Sequence, residues 1–132
     1  MSGYAIVLAS RELSRVQAVS TIASVAAASD VPVQIFATME GLLPFRTETV
    51  ESGDFDFGPV GAKMLEADGA EMPLFYEQFA QAKGIGDIEL YACEMAMDLL
   101  ETDLDDYVDV FDDTLGVSGF LNRARDKQVV FV

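Results

Sequence analysis

The sequence predicts a single three-layer α/β/α domain of 132 residues built on a mostly parallel, five-stranded sheet. Two observations carry this reading. Tyr4 to Ala9 is a continuous apolar run of strand length, as in strands buried on both faces of a parallel sheet. It is followed by apolar residues at Leu13, Val16, Val19, Ile22, Ala23 and Ala26, a three-and-four spacing that lines one helical face, and then by the β-rich run Val31 to Ala37. Strand, helix and strand in that order make a βαβ unit.

Each element follows from local chemistry. The first helix spans Glu12 to Ser29, with Ser10 as its candidate N-cap. After the second strand, Met39 to Phe45 reads as a loop and a short helical turn. From Arg46 to Met72 glycines and acids replace periodicity, and this stretch reads as an irregular acidic excursion with one helical turn at Ala62 to Ala67. Leu74, Phe75, Phe79 and Ala82 give a helix from Pro73 to Lys83 that stops at Gly84. A third strand then ends near Cys93. Met95 to Leu100 is a short helix, Leu104 to Tyr107 a further turn, Tyr107 to Phe111 a weak fourth strand, Gly116 to Ala124 a helix and Gln128 to Val132 the last strand.

Composition narrows the function. The formal net charge is −15, from 23 acidic and 8 basic residues, so the chain repels a phosphate backbone and nucleic acid is a poor partner. Hydrophobic residues make up 51% of the chain, which separates it from acidic disordered sequences. An acidic surface with three lysines, Lys63, Lys83 and Lys127, suggests a high-salt, halophilic cytoplasm in which self-repulsion is screened. Histidine is absent and there is a single cysteine, which leaves no internal disulfide, no Cys/His zinc site and no Ser-His or Cys-His pair. No cofactor and no metal are expected. The start of the chain lacks the basic region of a secretory signal, and Val16 to Ala28 is too short and too polar for a membrane span, so the expected location is cytoplasmic.

The remaining chemistry centres on Cys93, placed where a strand hands over to a helix. In an open parallel sheet the carboxyl ends of the strands are where ligands bind, and a helix N-terminus favours a thiolate. A free cysteine is equally a small core hydrophobe. Glu94 and Asp98 work against ionisation if their carboxylates lie close. Asp103, Asp105, Asp106, Asp109, Asp112 and Asp113 lack the glycine and terminal glutamate of a calcium loop and read as a solvated acidic face. Gly84-Ile85-Gly86 precedes a strand and has no third glycine, so it is no dinucleotide fingerprint.

Three stretches carry a family resemblance: Phe36-Ala37-Thr38-Met39-Glu40-Gly41-Leu42, Ala92-Cys93-Glu94-Met95-Ala96-Met97-Asp98, and Gly116-Val117-Ser118-Gly119-Phe120-Leu121. With the order of elements, they resemble the DsrE/DsrF-like sulfur-relay family, above all its small subgroup labelled peroxiredoxin-like. Glu40 stands where many relatives carry a bulky aromatic, and the excursion that is basic and methionine-rich in relatives is acidic here. The resemblance implies a fold of flavodoxin-like appearance, assembly into trimers or hexamers, and a cysteine that carries sulfane sulfur between donor and acceptor proteins. Cys93 would be that carrier, with Ser10, Glu40 and Met95 facing the same strand-end crevice as substrate-binding residues. Two other readings stand beside this sulfurtransferase or sulfur-carrier reading: a non-catalytic interaction module with a structural cysteine, and a thiol peroxidase.

Overall fold

The computed structural model describes residues 3–66 and 73–132. Five parallel strands form one sheet in the order β4-β3-β2-β1-β5, with β1 at Tyr4–Leu8, β2 at Val33–Ala37, β3 at Ile88–Cys93, β4 at Asp113–Leu115 and β5 at Gln128–Phe131. In the first three connections each strand is followed by its outward neighbour. The chain then returns across the sheet to place β5 beside β1.

Register fixes which side chains share a face. Ile6 pairs with Ile35, and Ile35 with Leu90. These three residues are at most 1% exposed and form the centre of the core. Because side chains alternate along a strand, Phe36 and Tyr91 point to the opposite face. That face is covered by helix α6, Val117–Arg123. Phe120 stacks on Phe36 at 4.6 Å, and the Arg123 guanidinium lies 5.0 Å from the centre of the Tyr91 ring.

The first face is covered by α1, Leu13–Ala28, and α4, Phe75–Ile85, which pack along each other. The buried stripe of α1 contains Leu13, Val16, Val19, Ala23 and Ala26 as the sequence spacing predicts, whereas Ile22, expected on the same face, is 46% exposed. Its two buried polar residues, Gln17 and Ser20, join α4, since both donate hydrogen bonds to Gln78 Oε1. Phe45, Phe75 and Phe79 are fully buried between α4 and the loop after β2.

Four expectations are corrected. Ser10 does not cap α1. The helix begins at Leu13 with Glu12 as its N-cap residue and no side-chain cap, and the Glu12 amide donates to Ser10 Oγ at 3.2 Å. The excursion is not irregular over its described part. It contains α2, Thr47–Ser52, and α3, Gly58–Glu66, and α3 packs on α1. The sequence periodicity hides α2 because it has six residues and none is buried, whereas α3 extends the turn expected at 62–67 back to Gly58. Part of the helical turn expected at 62–67, and the rest of the excursion, lie outside the described residues. The helix expected to stop at Gly84 runs through it to Ile85, with Gly86 at its C-cap.

The fourth correction concerns the fourth strand, which lies at Asp113–Leu115 rather than Tyr107–Phe111. The aromatic residues of that segment pack inward instead, Phe111 at 5.0 Å from Phe45 and 5.9 Å from Tyr107. Asp112 then takes the place of a ladder residue: its carboxylate accepts the Leu90 amide at 2.8 Å while its own amide donates to Leu90 O at 2.8 Å. Regular pairing with β3 starts only at the next residue, Asp113 opposite Tyr91. Among the described residues, no helix is long and apolar enough to cross a membrane.

Candidate functional site

The carboxyl ends of β1, β2 and β3 lie side by side, and each feeds a segment named by the sequence. Ser10 follows β1, the 3₁₀ segment Met39–Phe45 follows β2, and α5, Glu94–Leu100, follows β3 without a linking residue. Two backbone features turn the chain sharply after β2. Met39 adopts a left-handed conformation, φ 50°, which is uncommon outside glycine. Gly41 packs on the end of β1 so closely that a Cβ would stand 2.0 Å from Leu8 O. Only glycine fits there.

Cys93 ends β3 and is the N-cap residue of α5, with extended backbone (φ −69°, ψ 120°) and no side-chain cap bond. Its side chain is 0% exposed. By strand alternation it shares the face of Tyr91 and Phe36, so the return helix α6 and Arg123 stand on the thiol's side of the sheet. Sequence proximity places no cation near Cys93; the tertiary fold brings one over the residue one pleat away. Burial, with a smaller contribution from Glu89, raises the Tyr91 phenol pKa, and Arg123 acts in the opposite direction.

Topology makes this end of β3 distinctive. The chain leaves β3 through α5, which packs against the 3₁₀ segment, and that segment's Phe45 packs on α4. It leaves β4 through α6, on the other face. The strand order reverses between β1 and β5, the switch point at which open α/β sheets usually bind ligands, and Cys93 lies two strands away on β3. Beside the end of β3, β4 runs out into Gly116, and Thr114 Oγ1 lies 3.5 Å from Glu94 Oε1. Cys93 pairs directly with Leu115 there.

The other three candidates occupy the same sheet end but are not gathered around the thiol. Glu40 is 67% exposed in its side chain and loosely paired with Arg11, at 3.9 Å. With Met39 and Leu43 it lines an apolar pocket of about 330 Å³ completed by Ala96, Leu99 and Leu100 of α5. Met95 is 50% exposed. Ser10 is half-buried and committed to the Glu12 amide. Neither Cys93, Ser10 nor Met95 lines that pocket.

A second pocket, of about 430 Å³, has Arg11, Arg46, Asp54 and Asp56 among its lining residues. The sequence reading missed it because these residues come from three separate segments and become neighbours only when the chain around Asp56 pairs with Glu12 in the loop after β1. Among the described residues, no group of three or more His, Cys, Asp or Glu side chains converges to hold a metal ion.

Comparison with known proteins agrees with this architecture. The solved structure of a protein of unknown function from Methanobacterium thermoautotrophicum superposes over 100% of both chains with a TM-score of 0.65 and 15% sequence identity, a likeness of fold. No curated protein matches the sequence. The family model described as the DsrE/DsrF/DrsH-like family matches residues 60–132, more than half of the chain and the part that carries β3, Cys93, α5, β4, α6 and β5. The chain therefore belongs to the DsrE/DsrF/DrsH-like family, which is generally associated with sulfur relay.

Proposed function

We propose that this protein is a sulfur carrier or sulfurtransferase that holds sulfane sulfur as a persulfide on Cys93. The observation that supports this most is the position of the thiol: the single cysteine of a DsrE-like chain lies at the carboxyl end of β3, beside β4 and at the head of α5. The chemistry is a thiol exchange. The Cys93 thiolate attacks the outer sulfur of a donor persulfide, an Sγ–S bond forms, the donor S–S bond breaks, and the donor leaves as a thiolate with the electron pair. An acceptor thiolate reverses the step. No external oxidant or reductant is consumed.

Because Cys93 is fully buried, loading requires α5 or the β4 exit to move away from it. Partners of this reading are a sulfur donor and a sulfur acceptor protein, with further copies of the same chain in a trimer or hexamer. Self-assembly has support in the apolar surface left around α6 and β5, where Phe131 is 75%, Leu121 56%, Val129 50% and Val117 48% exposed.

Burial favours a second reading, in which Cys93 is a core side chain of a non-catalytic interaction module. Intact-protein mass spectrometry after incubation with polysulfide separates the two. A one-sulfur gain that reductant reverses and Cys93→Ser abolishes is the result expected of a carrier. No gain, or a gain retained in the Cys93→Ser protein, overturns the proposal.

A further inference from the structure

The geometry points to a binding site for a zwitterionic ligand of the amino-acid class, an α-amino acid or short peptide bearing both a carboxylate and an ammonium group, in the pocket of about 430 Å³ between α2, the segment 53–57 and the loop after β1. This site is separate from Cys93 and does not depend on the persulfide reading.

Charge is the first argument. Only 8 of the 132 residues are Lys or Arg, yet Arg11 and Arg46 both line this one pocket, and Asp54 and Asp56 line it with them. Both guanidinium groups are loosely engaged. Arg11 Nε lies 3.4 Å from Asp56 Oδ2 and 3.9 Å from Glu40 Oε2, and Arg46 Nη2 lies 3.9 Å from Glu48 Oε2. Charge-assisted N–H···O bonds close to about 2.7–2.9 Å. None of the hydrogen bonds among the described residues uses either guanidinium, so donors suited to a carboxylate are at hand.

The pocket is also held in shape by backbone. Asp56 is fixed to the start of α1, its carbonyl accepting the Leu13 amide at 2.7 Å beside a parallel bridge to Glu12. Arg46 is fixed on both sides, its amide donating to Leu43 O at 3.3 Å and its carbonyl accepting from Val50 at 3.0 Å. Phe55, 8% exposed, and Leu43 supply an apolar wall, and the volume falls within the roughly 300–1,000 Å³ of small-molecule sites.

The ligand class follows from the balance of charges. The lining itself carries two cations and two carboxylates, with Glu40 and Glu48 3.9 Å from the arginines just outside it, so a simple anion would gain from the arginines and be repelled by these carboxylates and the −15 charge of the chain. A simple cation would meet the arginines. A zwitterion has no net charge to be repelled, offers its carboxylate to Arg11 and Arg46 and its ammonium to Asp54 and Asp56, and lays an apolar body on Phe55 and Leu43.

The test is calorimetric titration of the full chain with L-methionine and L-phenylalanine, each compared with its N-acetyl form, which lacks the cation, and its amide, which lacks the anion. Expected are binding of a free amino acid, weakening of about tenfold or more on blocking either end, and a similar loss in Arg46→Gln. Asp54→Asn, at an exposed position where folding is not at stake, is expected to weaken the zwitterion while leaving the N-acetyl form unchanged or tighter. No binding of either amino acid up to about 10 mM, or blocked analogues binding as well as the zwitterions, overturns the proposal.

Discussion

Cys93 has no exposed surface, so a reagent or a sulfur donor reacts with it only from an open form, and the free energy of that opening sets the rate. The smallest opening lifts α5, whose buried side chains are Ala96, 1% exposed, and Met97, 5% exposed. Returning a methionine side chain to water costs about 1.5–3 kcal/mol and a methyl group about 0.8 kcal/mol. Opening therefore costs about 2–4 kcal/mol, and thiol alkylation should be roughly 30- to 1,000-fold slower than in the unfolded chain. Opening by complete unfolding would cost about 5–15 kcal/mol and slow labelling by several thousandfold or far more.

The assay is the alkylation rate of Cys93 in the native protein and in denaturant, followed through low denaturant concentrations. A local opening leaves the native rate nearly flat, because little surface is exposed, whereas global unfolding raises it along the full denaturant slope. Met97→Ala should speed labelling about tenfold, and a destabilising change in α1 such as Val16→Ala should leave it unchanged. Protection beyond about 10⁴-fold that follows global stability, with Val16→Ala as effective as Met97→Ala, would refute the local opening and with it the route by which sulfur reaches Cys93.

Three further predictions concern the scaffold. Gly41→Ala should destabilise the protein by about 1–3 kcal/mol in chemical denaturation, because the new Cβ would stand 2.0 Å from Leu8 O and force the turn after β2 to shift; an unchanged midpoint contradicts that close approach. Tyr107, 5% exposed, has its phenol pKa raised chiefly by burial. Above about pH 10 the unfolded chain therefore loses that proton first, and stability falls as pH rises toward the folded pKa. Tyr107→Phe removes the 2.6 Å hydrogen bond with Thr102, at about 1 kcal/mol near neutral pH, and should flatten this alkaline loss; an equally steep loss in the variant would assign it elsewhere. With a net charge of −15, the melting temperature should fall as salt is lowered and the screening length grows beyond about 10 Å; a melting temperature indifferent to salt removes the basis for a high-salt origin.

The candidate site divides in the same way as the fold into what was legible along the chain and what was not. Tyr4 to Leu8, Val33 to Ala37 and Ile88 to Cys93 are read directly, because strands buried on both faces must be apolar at nearly every position. The α1 stripe is read because a long helix repeats its pattern often enough to show it. These local patterns place Cys93 at a strand end, and the three family-like stretches lie where the 3₁₀ segment, α5 and α6 form.

Short elements carry no such signal. α2 buries nothing and β4 has only three residues, so Asp112's substitution for a ladder residue and the inward packing of Phe111 settle where the fourth strand lies. Strand order, the divergence of α5 and α6 beside Cys93, the placement of Arg123 over Tyr91 and the convergence of Arg11, Arg46, Asp54 and Asp56 are contacts between residues distant in sequence. By itself the sequence determined the α/β class, the core strands and the position of the thiol, since those depend on local hydrophobic period. Only the tertiary structure decided that the thiol is buried and which charges surround the pockets, because burial and charge proximity depend on how the layers close over one another.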